Sequence, residues 1–185
     1  PELEENGFLF AKPGFNVIGT ANTRDKGVNE MSSALKRRFN FETVMPVREA
    51  ALEKQTILNE VNALAREAHV EMQADEDVAE LLASTYHELR EGVSSHGHRI
   101  DKPSAVMSTA EAVSVYYQTM ITGYYYGDSN MSVDALVQNL VGAVSKENKE
   151  DLEKVKSYFN TVIRDKSNQE GGIWKEYYEA KKWLK

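Results

Sequence analysis

The spacing of apolar and polar positions divides the chain near residue 47. Before it the pattern has the short periods of strands. Residues 7–11, Gly-Phe-Leu-Phe-Ala, predict a brief strand, and Pro13-Gly14 supplies a turn. Residues 15–21, Phe-Asn-Val-Ile-Gly-Thr-Ala, predict a second strand. Its Val17-Ile18-Gly19 run is apolar on both faces, as in a covered parallel sheet. Asp25-Lys26-Gly27 predicts a polar loop. Asn29 as N-cap, with Glu30 in the first turn, predicts a short helix to Lys36. Phe39 to Val47 alternates and predicts a strand that closes at Pro46.

After Val47 the period changes to that of helices. Arg48 to Met72 carries a stripe at Ile57, Val61, Leu64 and Ala68. Asp75 or Asp77 caps a second helix with Val78, Leu82, Tyr86, Leu89 and Val93 on one face. Residues 92–101 form a loop. Pro103 or Ser104 opens a third helix, striped by Ala110, Val113, Tyr117, Met120 and Tyr124, and residues 127–130 break it. Further helices are expected over Val133 to Val144 and Lys149 to Arg164. After Gly171-Gly172, an aromatic helix holds Ile173, Trp174, Tyr177 and Tyr178. The expected fold is a short α/β part followed by an all-helical part, mainly α overall.

Composition narrows the function classes. A length of 185 residues is enough for a real core. The net charge of -7 weighs against a surface that coats nucleic acid or anionic membrane. With no cysteine there is no disulfide framework, thiolate nucleophile or thiolate metal site. No apolar run reaches membrane-spanning length and no signal-peptide pattern occurs, so a cytoplasmic location is the default.

Candidate chemistry gathers at two places. Thr20, Asn22 and Thr23 lie at the C-terminal end of the 15–21 strand, where ligands of open α/β sheets bind. Asn can orient a water or a phosphate oxygen. Arg37-Arg38 follows the short helix, and a guanidinium presents phosphate with a rigid, permanently charged fork. The alternatives are a turn Asn bonding local backbone and a basic helix end complementing its dipole. His96-Gly97-His98 could share a metal in an extended loop, but it has no carboxylate pair or thiol beside it and reads better as a polar loop. The aromatic residues of the C-terminal half suit packing, with a partner-binding face as the second reading.

Two motifs carry a resemblance. Val17-Ile18-Gly19-Thr20-Ala21-Asn22-Thr23 resembles the sensor 1 strand of AAA+ ATPases, with Asn22 as its polar residue. Ser33-Ala34-Leu35-Lys36-Arg37-Arg38-Phe39 resembles the arginine-finger helix, which ends in an Arg-Phe pair. Their order and separation fit the family, and within it the MoxR-type group is the most similar. The resemblance implies that residues 1–47 are the C-terminal portion of a P-loop core. It makes 48–185 a helical lid, with an extension from about residue 130. It implies that Asn22, with Thr23 beside it, serves the subunit's own nucleotide, and that Arg38, with Arg37 as understudy, reaches a neighbour's.

The intact protein would then bind ATP and Mg2+, form a ring, expected as a hexamer, and remodel or activate protein partners, a von Willebrand A-type protein among the candidates. No G-x-x-x-x-G-K-[ST] loop and no apolar strand ending in Asp-Glu occurs in the chain. In the family both precede sensor 1. The chain is therefore expected to start after them and to be inactive alone. The third lid helix of the family commonly opens Ser-Pro-Arg, whereas the matching residues here are Ser108-Thr109-Ala110-Glu111. The nucleotide-sensing Arg is missing there, and Arg99 or Lys102 in the preceding loop is the candidate substitute. A non-catalytic helical adaptor and an AAA+ motor on nucleic acid remain the rival readings.

Overall fold

A computed structural model describes residues 11–20, 32–104, 107–127, 129–145 and 148–185. The chain divides into two compact units, Pro1–Thr43 and Val44–Lys185.

In the first unit, Phe15 N–H donates to the Lys12 carbonyl at 3.1 Å, and Gly14 takes the left-handed φ of 86° that the Pro13-Gly14 turn needs. A single turn of helix, α1 (Ser33–Lys36), is capped by the Ser32 hydroxyl, which accepts from Leu35 N–H at 3.2 Å. The Asn29 cap expected for this helix lies outside the described residues.

The strand expected at residues 7–11 lies, but for Ala11, outside the described residues, and the other two expected strands are not seen as such. Residues 15–20 and 40–49 run without a ladder, and Val17 and Ile18 are 58% and 94% exposed. A strand is held by the N–H and C=O groups of a neighbour. The described part of this unit offers none, so only the apolar pattern of a covered strand is left.

The second unit is built from helices α2 (Ala50–Glu67), α3 (Glu76–Glu91), α4 (Thr109–Tyr126), α5 (Val133–Val144), α6 (Lys149–Tyr158), α7 (Arg164–Glu170) and α8 (Gly172–Glu179). A π-turn, Phe159–Ile163, joins α6 to α7, and a 3-10 turn, Ala180–Trp183, follows α8. Among the described residues the one β feature is an isolated bridge between Val93 and Arg99. The molecule is mainly α.

Helices α2 and α3 bury most of the stripes their sequences announce, but α2 ends at Glu67 rather than Met72, Ala65 is buried where Leu64 is half-buried and Ala68 exposed, and Val93 lies past the end of α3 and is exposed. Ile57 and Val61 are fully buried on α2, as are Leu82, Tyr86 and Leu89 on α3. Asp75 caps α3, accepting from the Asp77 and Val78 amides, and Gly92 ends it at φ 73°.

Helix α4 differs from its expected form twice. It begins at Thr109, because Ser108 and Glu111 form a reciprocal capping box. Its buried face is Ala112, Val115, Tyr116, Thr119, Met120 and Gly123, one position round from the stripe read in the sequence. The helix is apolar on several sides, so periodicity did not single out one face. Gly123 settles the rotation, since a Cβ there would stand 2.6 Å from the Asn130 carbonyl oxygen of the returning chain.

The helix expected to stop at Arg164 continues to Glu170 through the π-turn. Nothing breaks it before Gly171. The extra residue in the turn rotates the following face by about 100°. This lets Tyr158, Phe159, Val162, Ile163 and Lys166 all be buried. Phe159 and Trp174 pack on Tyr177 with ring centroids at 4.7 and 6.4 Å, which closes α8 onto the core.

Candidate functional site

Among the described residues, two clusters of buried charges in the helical unit join α2, α3 and α7 to their surroundings. In the first, Glu53 on α2 is fully buried and Arg90 in the last turn of α3 is 9% exposed. The guanidinium takes the carboxylate as a fork. Nη1 donates to Oε1 at 3.0 Å and Nη2 to Oε2 at 2.6 Å. The same nitrogens donate to two backbone carbonyls, Met107 at 2.9 Å and Val47 at 3.2 Å. The Thr109 hydroxyl, in the first turn of α4, donates to Glu53 Oε1 at 2.8 Å. His87 Nδ1 stands 3.5 Å from Glu53 Oε2 and from Arg90 Nη2.

Two features of this cluster cost stability. Met107 holds a left-handed φ of 50° while 2% exposed, a conformation a Met adopts only when its surroundings impose it. Arg90 Nε is buried without a hydrogen-bond partner among the described residues.

In the second cluster Lys166 of α7 donates to Glu88 of α3 at 2.9 Å and to the Ser84 hydroxyl, and lies 4.6 Å from the Trp174 ring centroid. Glu88 also accepts from the Tyr158 hydroxyl at 2.7 Å and from Ser95 N–H at 2.8 Å. Burial alone would raise the Glu88 carboxyl. The Lys166 ammonium and these donors outweigh it and hold the pKa below its ordinary value.

The sign of the pH effect follows. A depressed carboxylate stabilises the fold fully above its unfolded value of 4.5, and that contribution is lost as pH falls through the folded value. A melting series is expected to show Tm falling below about pH 4.5. Glu88→Gln should start at a lower Tm and lose less of it over the same range. A parallel decline in both proteins would contradict this.

The residues expected to meet nucleotide are placed as follows. Asn22 and Thr23 lie outside the described residues. Arg37 is the residue after α1 and Arg38 the next, and both side chains are exposed. Arg38 N–H donates to the Leu35 carbonyl at 3.0 Å, which finishes the turn and leaves its guanidinium beyond the helix. Among the described residues neither makes an ion pair.

Arg99 is exposed in the loop between α3 and α4. It lines a cleft of about 330 Å³ with Asp101, Lys154, Arg164 and Asp165. Lys102 lies across Gly92, where an added Cβ would come within 2.5 Å of its Cε. The loop is held at its middle by the Val93–Arg99 bridge and the Ser95–Glu88 bond. At its far end the Ser104 N–H and hydroxyl donate to the buried Asp151 of α6 at 2.8 and 2.6 Å. His96 and His98 share this loop, and among the described residues no group of three or more His, Asp or Glu side chains could hold a metal.

The fit to nucleotide is therefore uneven. The exposed guanidiniums of Arg37, Arg38 and Arg99, which make no ion pair among the described residues, suit phosphate oxygens. The N-terminus of α4 does not, because the Glu111 carboxylate takes the Ser108 N–H and Glu53 takes the Thr109 hydroxyl. No described acidic group fits magnesium.

Glu53, Arg90, Glu88 and Lys166 were not singled out in the sequence. A signal was there for three of them, each a charge in phase with an apolar stripe; Glu88, one position from Leu89, carried none. Glu53 is four residues before Ile57, Arg90 four after Tyr86, and Lys166 four after Val162.

Two family models match separate stretches of the chain. Residues 49–185 match the family described as YehL-like AAA+ ATPase C-terminal domain, and residues 2–39 match the AAA domain of the dynein-related subfamily. A relative described as "Uncharacterized protein YehL", from Escherichia coli (strain K12), is 36% identical over 185 residues, which cover 98% of this chain and 49% of that relative. The chain thus spans about half the length of the curated relative it matches. No solved structure gives a significant match. No described helix is long and apolar enough to cross a membrane. With the helical unit matched from its first helix to its last residue, the chain belongs to the YehL-like AAA+ ATPases and carries their C-terminal domain.

Proposed function

We propose that a longer protein containing this chain is a ring-forming, cytoplasmic AAA+ ATPase of the MoxR type that uses ATP binding and hydrolysis to remodel or activate protein partners. In this reading residues 1–47 are the end of the core and 48–185 the lid. Asn22, with Thr23 beside it, serves the subunit's own nucleotide, and Arg38 reaches the neighbour's. Arg99 takes the sensing role that the start of α4 has given up, with Lys102 as the second candidate. A von Willebrand A-type protein is the first partner to test.

The observation that carries the reading is the exposed Arg37-Arg38 pair just beyond α1, in a chain that belongs to an AAA+ family. A permanently charged fork exposed at a helix end is available to a neighbour's phosphates, and phosphoryl transfer depends on such positioned charge. A head-to-tail contact that closes into a ring places one subunit's finger at the next subunit's nucleotide.

The test compares the full-length protein with these 185 residues alone. The full-length protein is expected to hydrolyse ATP and to grow in mass by light scattering when ATP is added, while the 185-residue chain does neither. A full-length protein that neither hydrolyses ATP nor changes mass would overturn the proposal.

A further inference from the structure

Arg90 joins three separate pieces of chain through backbone atoms. Val47, whose carbonyl it holds, lies three residues before α2. Met107, whose carbonyl it also holds, directly precedes the Ser108 cap of α4. Arg90 itself sits one residue before the end of α3. The loop that carries Arg99 and Lys102 leaves the chain after Arg90 and returns at Met107. The bond from Nη1 to the Met107 carbonyl therefore closes the base of that loop. The bond from Nη2 ties the closed base to the segment leading into the helical unit. Glu53 fixes the guanidinium, and Thr109 fixes the first turn of α4 to the same carboxylate.

Stability alone does not account for this arrangement. A buried ion pair contributes little net stability over an apolar pair of the same volume. Here it also retains an unpartnered Nε and a left-handed Met107. What a planar fork with four acceptors provides is fixed relative placement, which a point charge on a flexible stem does not reproduce.

We propose that Arg90, held by Glu53, is a positioning residue for the ATPase cycle: it locks the base of the Arg99-bearing loop to the segment at Val47, so that the two move as one body when nucleotide binds. This rests on the ATPase reading above. The start of α4, sealed by the carboxylates of Glu111 and of Glu53 on α2, then acts as a pivot for the loop, and Arg99 is its responsive cation.

The test uses the full-length protein and two variants. Arg90→Lys keeps the charge and loses the fork. Thr109→Val removes one hydroxyl from Glu53 and keeps the shape. ATPase kcat and KM are measured together with hydrogen exchange of residues 44–50 and 92–104, with and without a non-hydrolysable ATP analogue. In the wild type both segments are expected to change protection together when the analogue binds. In Arg90→Lys the kcat is expected to fall about tenfold with KM within about twofold, and the loop's response is lost while the core of α2 stays protected. Thr109→Val is expected to show the same pattern with about a threefold loss of kcat.

Should Arg90→Lys fail to fold, Thr109→Val decides alone. Wild-type kcat and joint protection changes in a folded variant would overturn the clamp, and so would loss of protection spread evenly over α2 and α3. A wild-type protein without ATPase activity overturns the ATPase reading itself, and the clamp with it.

Discussion

Arg38→Ala in the full-length protein is expected to slow ATP hydrolysis by about 10³- to 10⁵-fold while ATP binding stays near that of the wild type. The expectation comes from where the side chain lies. Ser32 caps α1, the helix lasts one turn, and the Arg38 amide closes it on the Leu35 carbonyl. The guanidinium is exposed and makes no ion pair among the described residues. Among the described residues nothing pairs with the charge, so its removal is expected to cost the fold little. A finger that meets charge developing in the transition state changes kcat far more than KM. Arg37→Ala, one residue nearer the helix, is expected to act in the same direction and less strongly. Steady-state ATPase assays with nucleotide titration separate the two effects. An Arg38→Ala protein within about twofold of wild-type kcat would sink the finger assignment.

The largest expected loss of stability is for Arg90→Met. Removing the guanidinium leaves the fully buried Glu53 carboxylate without its fork, and leaves the Val47 and Met107 carbonyls without a donor. Breaking one partner of a buried ion pair costs about 3–5 kcal/mol. That is a large share of the roughly 5–15 kcal/mol that holds an ordinary domain. The paired change Glu53→Met with Arg90→Met should recover much of it, since no charge is then buried alone. Recovery should stay incomplete, because the two carbonyls and the Thr109 hydroxyl still lack Arg90 and Glu53. Urea unfolding of the 185-residue chain followed by circular dichroism reads these differences. A cost below about 1 kcal/mol for Arg90→Met would mean that the cluster relaxes or takes in water.

The sequence announced some of this and hid the rest for definite reasons. The stripes of α2 and α3 were legible because polar residues flank them. The α4 face was not, because that helix is apolar on more than one side and Gly123 decides its rotation by close approach. The helix that runs from α6 into α7 was ended too early, at Arg164 rather than Glu170, and its π-turn leaves no mark in composition; the turn shows only when Tyr158, Phe159, Val162, Ile163 and Lys166 prove buried together. The strands of residues 15–21 and 39–47 were read from apolar pattern, but a strand's geometry belongs to its neighbours as much as to itself.

The site was legible in the same uneven way. Arg37 and Arg38 stood out because a charged pair closes a recognisable motif, and the structure leaves both exposed. Arg90 and Glu53 passed unseen. A charge within a helix is usually a solvated one, and only three-dimensional packing brings residues 47, 53, 90, 107 and 109 together. The missing Arg at the start of α4 was visible from the residues Ser108 to Glu111. Its structural counterpart, a helix start filled by two carboxylates, was not.

In the proposed ring each nucleotide is served by Asn22 of one subunit and Arg38 of the next. Mixing full-length Asn22→Ala protein with full-length Arg38→Ala protein tests it most directly. Each variant alone is expected to be nearly inactive. In a randomly mixed ring about a quarter of the sites combine an intact Asn22 with a neighbour's intact Arg38, so ATPase activity should return towards that fraction of wild type. A mixture no more active than its two components would contradict the claim.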